Sequence, residues 1–313
     1  MKTLTIIIPE RMSGNRLDAS LSEMLPDHSR SKISAWIKSG DALINQKFFK
    51  PKDKSCGNEI VYLTFNQKQT NDWIAEKIPL NVVYEDEDII VINKQSGLVT
   101  HPGAGNWTGT LANALLYYDS DLSKLDRAGI VHRLDKNTSG LMVIARNEKS
   151  QKYLVEQLQS HLVEREYSAI VYGHMIAGGT VDEPIGRDPR DRVKQAVLTS
   201  GKEARTHYRA IDRFKSHTHV KAILETGRTH QIRVHLSYVG HSLIGDPMYG
   251  GRVRFPKKAS EELKDALLNF KRQALHSKKL TLIHPISGES MSWKIPLPDD
   301  MAGLLEVLKK CDS

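Results

Sequence analysis

One carboxylate, Asp135, stands at the head of a polar turn, next to a cation and between two apolar runs. Residues 130–145, which include this turn, read IVHRLDKNTSGLMVIA. A carboxylate in such a position can act as a nucleophile or as a general base. Most aspartates at such positions instead accept hydrogen bonds from nearby backbone N–H groups. Taken alone, the turn leaves both interpretations open.

Other kinds of catalytic centre find little support in the sequence. The two cysteines, Cys56 and Cys311, stand far apart, and the thirteen histidines include no His-Glu-x-x-His. The sequence contains neither a Gly-x-Gly-x-x-Gly after a predicted strand nor a phosphate-binding loop. We therefore expect no metal site, no disulfide framework and no nucleotide cofactor.

The composition describes a soluble protein with a polyanionic partner. The 313 residues exceed the usual size of one domain, so two domains are expected. The net charge of +8 favours a polyanionic partner. Because no apolar run approaches the roughly 20 residues that span a bilayer, we expect a cytoplasmic protein without a membrane partner.

Residues 1–65 are predicted to form a small module of two helices and short strands. Apolar residues recur at helical spacing in two stretches, Leu17, Leu21, Met24 and Leu25 in the first, and Ile33, Trp36 and Ile37 in the second. Ser29 is the expected cap of the second helix. Candidates for phosphate contacts in this module are Arg16, Arg30, Lys32 and Lys38.

This arrangement of helices, basic residues and strands resembles the S4 RNA-binding module. A solvated helix face would carry the same charges, so the residues alone do not decide between the two interpretations. The S4 hairpin usually contains Asn-Gly, whereas this sequence has Asn45-Gln46. Because glycine relieves a positive φ, we expect a different loop geometry there.

Residues 66–79 are polar and aperiodic, and they are predicted to be a linker. In residues 80–313, short strand patterns come in clusters with a few helical patterns between them. The predicted fold is therefore α+β: the small S4-like module, followed by a mixed, largely antiparallel β-sheet domain with flanking helices.

Several stretches of the large domain together resemble the RluA-type pseudouridine synthases. The stretch around Asp135 matches the signature of that family, and others match its further motifs: EREYSAIVYG at 164–173, LETGRTHQIRVHL at 224–236, GHSLIGDPMYG at 240–250 and residues 276–285. The resemblance implies isomerisation of uridine to pseudouridine in RNA. Because the product is an isomer, the reaction needs no redox cofactor, ATP or metal.

The resemblance also assigns roles to individual residues. It implies that Asp135 is the catalytic carboxylate, that Arg233 is its partner and that Tyr167 orients the uracil. Arg133 would enter the RNA stack when the uridine is flipped out, with His132 shaping the turn. Further candidates for contact with the substrate are Arg228 and Leu280, or Leu282 in place of Leu280 as the apolar floor under the base. We expect Thr229 to cap the helix that carries Arg233.

The expected partner is 23S rRNA or the precursor of the 50S particle, bound by a monomer. The resemblance implies uridines in one stem-loop of 23S rRNA at the face that meets the small subunit. Three alternatives remain open: a pseudouridine synthase acting at other large-subunit sites, a non-catalytic rRNA-binding factor and a hydrolase that releases uracil.

Overall fold

The computed structural model describes residues 2–26, 28, 30–65, 73–103 and 105–312, with only the backbone at 2, 3, 31, 32 and 65. Ser29, the predicted helix cap, and residues 66–72 of the predicted linker lie outside the described residues. The chain folds as two compact units, Met1–Gln69 and Thr70–Ser313. Each unit has its own hydrophobic core.

The first unit is a three-stranded antiparallel sheet with two helices. Strands β1 (Lys2–Ile7), β2 (Ala42–Ile44) and β3 (Ile60–Phe65) pair in the order β1-β3-β2. Helices α1 (Leu17–Met24) and α2 (Arg30–Ser39) bury one face each. The helical residues in the core are Leu17, Leu21, Ile33 and Ile37. All four belong to the predicted apolar stripes, as expected for amphipathic helices on a single core.

The β-turn at Asn45-Gln46 corrects one expectation. Asn45 and Gln46 both have positive φ, 49° and 60°. The flanking residues Ile44 and Lys47 exchange backbone hydrogen bonds of 3.1 and 2.9 Å, which close a two-residue hairpin turn. The expected change of loop geometry is therefore wrong. Gln46 itself adopts the left-handed conformation, at a steric cost of about 1–2 kcal/mol.

Residues 73–79 are not a free linker, which corrects the predicted boundary. Trp73 and Ile78 pack against the main core of the second unit. Asn113 Nδ2 donates to the Ile74 carbonyl at 2.7 Å, and the Glu76 carboxylate accepts from the Gly109 amide at 3.0 Å. The apolar residues in this polar stretch supply enough buried surface to hold it on the domain.

The second unit is built on a mixed sheet of nine strands. In chain order these are β4 (Val82–Glu85), β5 (Ile89–Lys94), β6 (Ser139–Ala145), β7 (Glu164–Tyr172), β8 (Gly179–Asp182), β11 (Arg205–Arg213), β12 (His217–Leu224), β13 (Leu275–Ile283) and β14 (Ser290–Lys294). The strand order is β4-β5-β6-β13-β7-β12-β11-β8, with β14 on β13. Of these pairings only β13 with β6 is parallel, so the predicted mixed, largely antiparallel sheet is confirmed. Strands β9 (Ile185–Arg187) and β10 (Gln195–Val197) form a separate antiparallel pair.

Helices complete the second unit: α3 (Leu111–Tyr118), α4 (Glu148–Gln159), α5 (Gln231–Tyr238), α6 (Glu261–Asn269) and α7 (Asp299–Cys311). Ile232 and Leu236 of α5 are buried in the core cluster that also contains Tyr167 of β7. Helices α6 and α7 share a second cluster with Ile170 and Tyr172, also from β7. No helix in the described ranges is long and apolar enough to cross a membrane.

Strand β13 comes late in the sequence yet lies between β6 and β7. His276 pairs with Ser139 of β6, and Ser277 pairs with Tyr167 of β7. The turn that contains Asp135 leads directly into β6. The strand order therefore places two motifs that are about 30 residues apart in the chain on the two neighbours of β13.

Candidate active site

Asp135 lies in a turn whose backbone is held from several sides. The Thr138 amide donates to the Asp135 carbonyl at 3.0 Å, and Thr100 Oγ1 donates to the Leu134 carbonyl at 2.7 Å. At the start of β6, Gly140 has a φ of +116° and packs so closely that a Cβ would overlap the backbone of Ser277. Only glycine combines this φ with this approach of β6 to β13.

A buried lysine below the turn was not predicted. Lys94, 2 % exposed, donates through Nζ to the carbonyls of Gln95 and Leu98 at 2.9 Å and of Lys136 at 3.2 Å. Burial lowers the pKa of Lys94 to about 7, whereas the three carbonyl acceptors match the three N–H groups of the charged ammonium. Because Lys136 follows Asp135, this lysine anchors the turn from below. The sequence signal was a lysine at the end of an apolar strand.

Arg233 of α5 connects two carboxylates. Its Nη1 donates to Asp135 Oδ2 at 3.0 Å, while Nε and Nη2 form a two-point bond to Asp246 at 2.8 and 2.9 Å. The Asp246 side chain is fully buried, whereas that of Asp135 is 16 % exposed. The amides of Met248 and Tyr249 also donate to Asp246. Asp246 thus holds the guanidinium in place for Asp135, and sequence reasoning did not single it out.

The start of α5 differs from the prediction. The helix begins at Gln231, and the N-cap position is taken by His230 in the left-handed conformation, so the expected cap at Thr229 is wrong. Instead of a cap from Thr229, the Gln231 side chain accepts a hydrogen bond from the Arg228 amide at 2.9 Å and so satisfies a backbone N–H group of the turn. Positive φ at a histidine is uncommon, and here this backbone conformation directs the His230 ring toward Asp135.

His230 lies on the other side of Asp135. Its Nε2 is 3.9 Å from Asp135 Oδ1, and its Nδ1 is 2.8 Å from the Tyr249 hydroxyl. That hydroxyl accepts from the Gln195 amide at 2.9 Å. Burial lowers the pKa of His230, so the ring is neutral near pH 7.

Tyr167 of β7 is 5 % exposed and lies in the wall beside Asp135. Burial raises the pKa of its hydroxyl, so the side chain is neutral. Leu280, with Leu282, packs instead in the cluster under α4, and the prediction that it forms the floor is wrong. Leu275 lines the wall in its place. A register shift between Ser277 and Lys279 separates the two halves of β13, so alternation cannot be counted across it.

These side chains surround a cavity of about 520 Å³. The predicted residues that line it are Asp135, Tyr167, Arg233, His132, Arg133 and Arg228. Arg127 and Arg165 add two cations, and Asp135 is the one carboxylate in this lining. Arg133 is exposed, and Arg228 Nε donates to the Glu203 carbonyl at 2.9 Å. The surplus of positive charge suits a polyanionic ligand.

His132 ties the motif to the sheet in a neutral form. Its Nε2 accepts from the Val143 amide of β6 at 3.0 Å, which a protonated ring nitrogen could not do. Burial, helped by the nearby Arg165, lowers the pKa of His132 to about 3. His276 of β13, 1 % exposed and bonded to Ser139, likewise has a pKa of about 4 because of burial.

We expect acid to destabilise this domain through these histidines. The unfolded chain binds their protons below about pH 6.5, whereas the folded protein resists protonation down to pH 3–4. The stabilisation is therefore complete above pH 6.5 and is lost as the pH falls toward 4. For each histidine the free energy of unfolding should drop by about 2 kcal/mol between pH 7 and pH 5, measured by urea denaturation.

The variant His132→Gln tests this assignment, because an amide oxygen can still accept from Val143 while carrying no titrating group. We expect the variant to lose less stability than wild type between pH 7 and pH 5. An unchanged pH dependence would show that His132 does not stay neutral in the fold.

The described residues include a group of possible metal ligands away from the cavity, Asp86, Asp88 and His284. Asp86 accepts from the Tyr84 hydroxyl at 2.7 Å and lies 3.1 Å from His284 Nε2. Asp88 accepts from Asn147 Nδ2 at 2.8 Å. These hydrogen bonds account for the cluster as a structural network.

Comparisons with known proteins agree with the motif pattern. Residues 88–238 match the family model described as RNA pseudouridylate synthase. The chain is 52 % identical over 307 residues to ribosomal large subunit pseudouridine synthase D of Escherichia coli O157:H7, covering 98 % of this chain and 94 % of that protein. It is 48 % identical over 304 residues to the protein of the same name from Xanthomonas campestris pv. campestris, covering 97 % and 92 %.

A solved structure has the same fold. Human RNA pseudouridylate synthase domain containing 4 superposes with a TM-score of 0.57 and 26 % identity, covering 73 % of this chain and 93 % of that one. This coverage fits a similarity in the larger unit, since the first unit is about a fifth of the chain.

Proposed function

The chain belongs to the RNA pseudouridylate synthases, which isomerise uridine in RNA, and on this premise we propose that it modifies uridines of 23S rRNA with Asp135 as the catalytic carboxylate. The proposed substrate is free rRNA or the precursor of the large subunit, bound by a monomer in the cytoplasm. Its similarity to relatives named as large-subunit enzymes supports this choice of RNA.

The environment of the two oxygens of Asp135 carries the proposal. Asp135 lines the cavity; its Oδ2 is held by Arg233, whereas its Oδ1 has no hydrogen bond from the described residues and lies 3.9 Å from His230 Nε2. The charge-assisted bond from Arg233 fixes one oxygen in place and leaves the other oxygen available. Asp135 can then act as nucleophile at the sugar or the ring, or as base at C2′.

The arrangement argues against hydrolysis. Glycoside hydrolases use two carboxylates that flank the bond, roughly 5–10 Å apart. The nearby Asp246 does not qualify, because both of its oxygens are bound by Arg233 and its side chain is fully buried. With one available carboxylate, the expected product is an isomer and not free uracil.

The cavity wall supports binding of a flipped uridine. Tyr167 lines the cavity together with Asp135, and Leu275 adds apolar surface. Arg133 is exposed at the cavity and is proposed to fill the space that the uridine leaves in the RNA. Flipping costs a few kcal/mol and least in a loop, which favours a stem-loop target.

We propose that the first unit is an S4-like module that binds rRNA. Asp18 holds two arginines of this unit together. Its carboxylate accepts hydrogen bonds from Arg16 at 2.9 Å and from Arg30 at 2.8 Å. The hydrogen bond from Arg16, joined by that from Arg30, lowers the pKa of Asp18 to about 2. Both arginines remain about half exposed, and Lys38 is exposed in the last turn of α2. The side chain of Lys32 lies outside the described residues.

Removal of this unit should weaken RNA binding without unfolding the rest. Because Trp73 packs on the larger core, the truncated protein should begin at Thr70. If the four basic residues each contact a phosphate, the salt dependence of binding, d log K/d log[salt], should become shallower by about 3. Filter binding to 23S rRNA fragments at several salt concentrations measures this.

A full-length protein with Arg16, Arg30 and Lys38 changed to glutamine and Asp18 changed to asparagine is the matched control, since it keeps the unit, removes three of its cations and leaves no unpaired carboxylate at position 18. Unchanged affinity and site choice in the truncated protein would remove the first unit from the account of recognition.

Mapping of pseudouridine tests the proposed function itself. Ribosomal RNA from a deletion strain is treated with carbodiimide and read by primer extension, with and without the gene restored. Loss of signals in the stem-loop at the subunit interface is the expected result. Loss at other large-subunit positions would keep the enzyme class and change the target, and no loss in rRNA would contradict the proposed substrate.

A further inference from the structure

Arg165 of β7 is a buried arginine without an acidic partner. It is 5 % exposed, and Nη2 donates to the Glu225 carbonyl at 3.1 Å. Its Nε, fully enclosed, has no hydrogen-bond partner in the part of the chain that is described. No carboxylate of the described residues forms an ion pair with it, and burial lowers its pKa.

The other buried arginines of the described chain are compensated. Arg233 binds both Asp135 and Asp246, and Arg272 forms a two-point bond to Asp300 at 2.6 and 2.8 Å. A buried cation without a counter-ion is costly, because it gives up hydration and gains no opposite charge. Arg165 thus carries a cost that the fold itself does not offset.

The guanidinium lies in the wall of the active-site cavity. Gly227 borders it so closely that a Cβ there would come within 2.8 Å of Arg165 Nη1. A side chain at position 227 would therefore push the guanidinium from its place. No hydrogen bond from Nη1 to the described residues is seen, so this group is available to a ligand.

The position of Arg165 along β7 indicates which part of an RNA ligand this side chain meets. Arg165 is two residues before Tyr167, so both side chains point to the same face, about 7 Å apart along the strand. If the uracil base lies beside Tyr167, the sugar-phosphate backbone of the same nucleotide lies at about this distance from Tyr167, near Arg165. The groups of RNA that carry negative charge are its phosphates.

We propose that Arg165 binds a phosphodiester group that flanks the target uridine. The inference rests on the proposed function, since it takes RNA as the ligand. The bound phosphate supplies the missing counter-charge, and the bond forms only once the nucleotide enters the cavity. Arg165 is therefore a binding residue for the flipped nucleotide, distinct from the Asp135–Arg233 pair.

The first test is stability without RNA. Arg165→Met removes an uncompensated charge and should leave the melting temperature unchanged or raise it. Arg272→Met is the matched control, because it leaves Asp300 without its partner and should lower the melting temperature. An equal loss in both variants would make Arg165 a structural residue and overturn the proposal.

The second test couples the residue to a phosphate. Stem-loop RNAs carry a neutral methylphosphonate on the 5′ or the 3′ side of the target uridine. A 2′-deoxy sugar precedes the modified linkage, and a deoxy phosphodiester RNA is the control. Fluorescence anisotropy gives the affinity of wild-type protein, Arg165→Met and Arg165→Lys for each RNA.

With wild-type protein, one neutral linkage should weaken binding by about tenfold to a hundredfold, the usual effect of a charged hydrogen bond. Arg165→Met should lose the same amount of affinity for the control RNA, and its affinity should not fall further with that neutral RNA. Arg165→Lys should keep part of the sensitivity to the neutral linkage. The proposal would be overturned if, at both linkages, the loss of affinity from Arg165→Met and the loss from the neutral linkage multiplied. It would also be overturned if Arg165→Met bound the control RNA as tightly as wild-type protein does. These outcomes are separate from the mapping of pseudouridine, which tests the proposed function.

Discussion

Asp135→Asn should abolish pseudouridine formation while the protein stays folded and binds RNA within several fold of wild type. The amide keeps the shape of the carboxylate but loses its basicity and nucleophilicity. Because Arg233 retains both bonds to Asp246, its position should survive the substitution. The rate should fall roughly 10⁴-fold if Asp135 is a base, and nearer 10⁶-fold if it is the nucleophile.

Single-turnover assays on a stem-loop RNA, read by carbodiimide and primer extension, measure this loss. Asp121→Asn is a suitable control, since it removes an exposed carboxylate paired with Lys124 outside the cavity. Turnover by Asp135→Asn at the wild-type rate would assign the chemistry to another group.

Arg233→Met should lower the rate of isomerisation about 10²- to 10³-fold, because Asp135 loses its charge-assisted partner. The same change should destabilise the fold by about 3–5 kcal/mol, since the fully buried Asp246 is left as an unpaired charge. Activity must therefore be measured below the melting temperature of the variant, with circular dichroism as the check on folding.

The double variant Arg233→Met with Asp246→Asn separates the two effects. It removes the buried charge together with its partner, so much of the lost stability should return. Activity should stay low, because Asp135 still lacks a cation. Recovery of activity along with stability would mean that Arg233 acts only through the fold.

The sequence was informative where residue type and local spacing decide the structure. The stripes that contain Leu17 and Ile33 became the buried faces of α1 and α2, because a helix on one core repeats its apolar face every 3.6 residues. The motifs around Asp135, Tyr167 and Arg233 were recognised one by one, and their side chains line a single cavity. Strand patterns likewise indicated a largely antiparallel sheet.

What the sequence left undecided depends on pairings between distant parts of the chain. Strand β13 pairs with both β6 and β7 and so fixes where Tyr167 lies relative to the Asp135 turn, and no local pattern encodes that order. Leu275 packs in the cluster that contains Tyr167 and lines the cavity, whereas Leu280 packs in a different cluster.

The sequence alone therefore determined the family, the residue types of the site and the elements that carry them. The tertiary structure decided the partners: Lys94 under the turn, Asp246 behind Arg233, and no carboxylate from the described residues at Arg165. The physical reason is that the energy of a buried charge depends on the groups packed around it, and those groups come from segments far apart in the chain. A charged residue in the sequence shows no sign of whether the fold will neutralise it or leave it for a ligand.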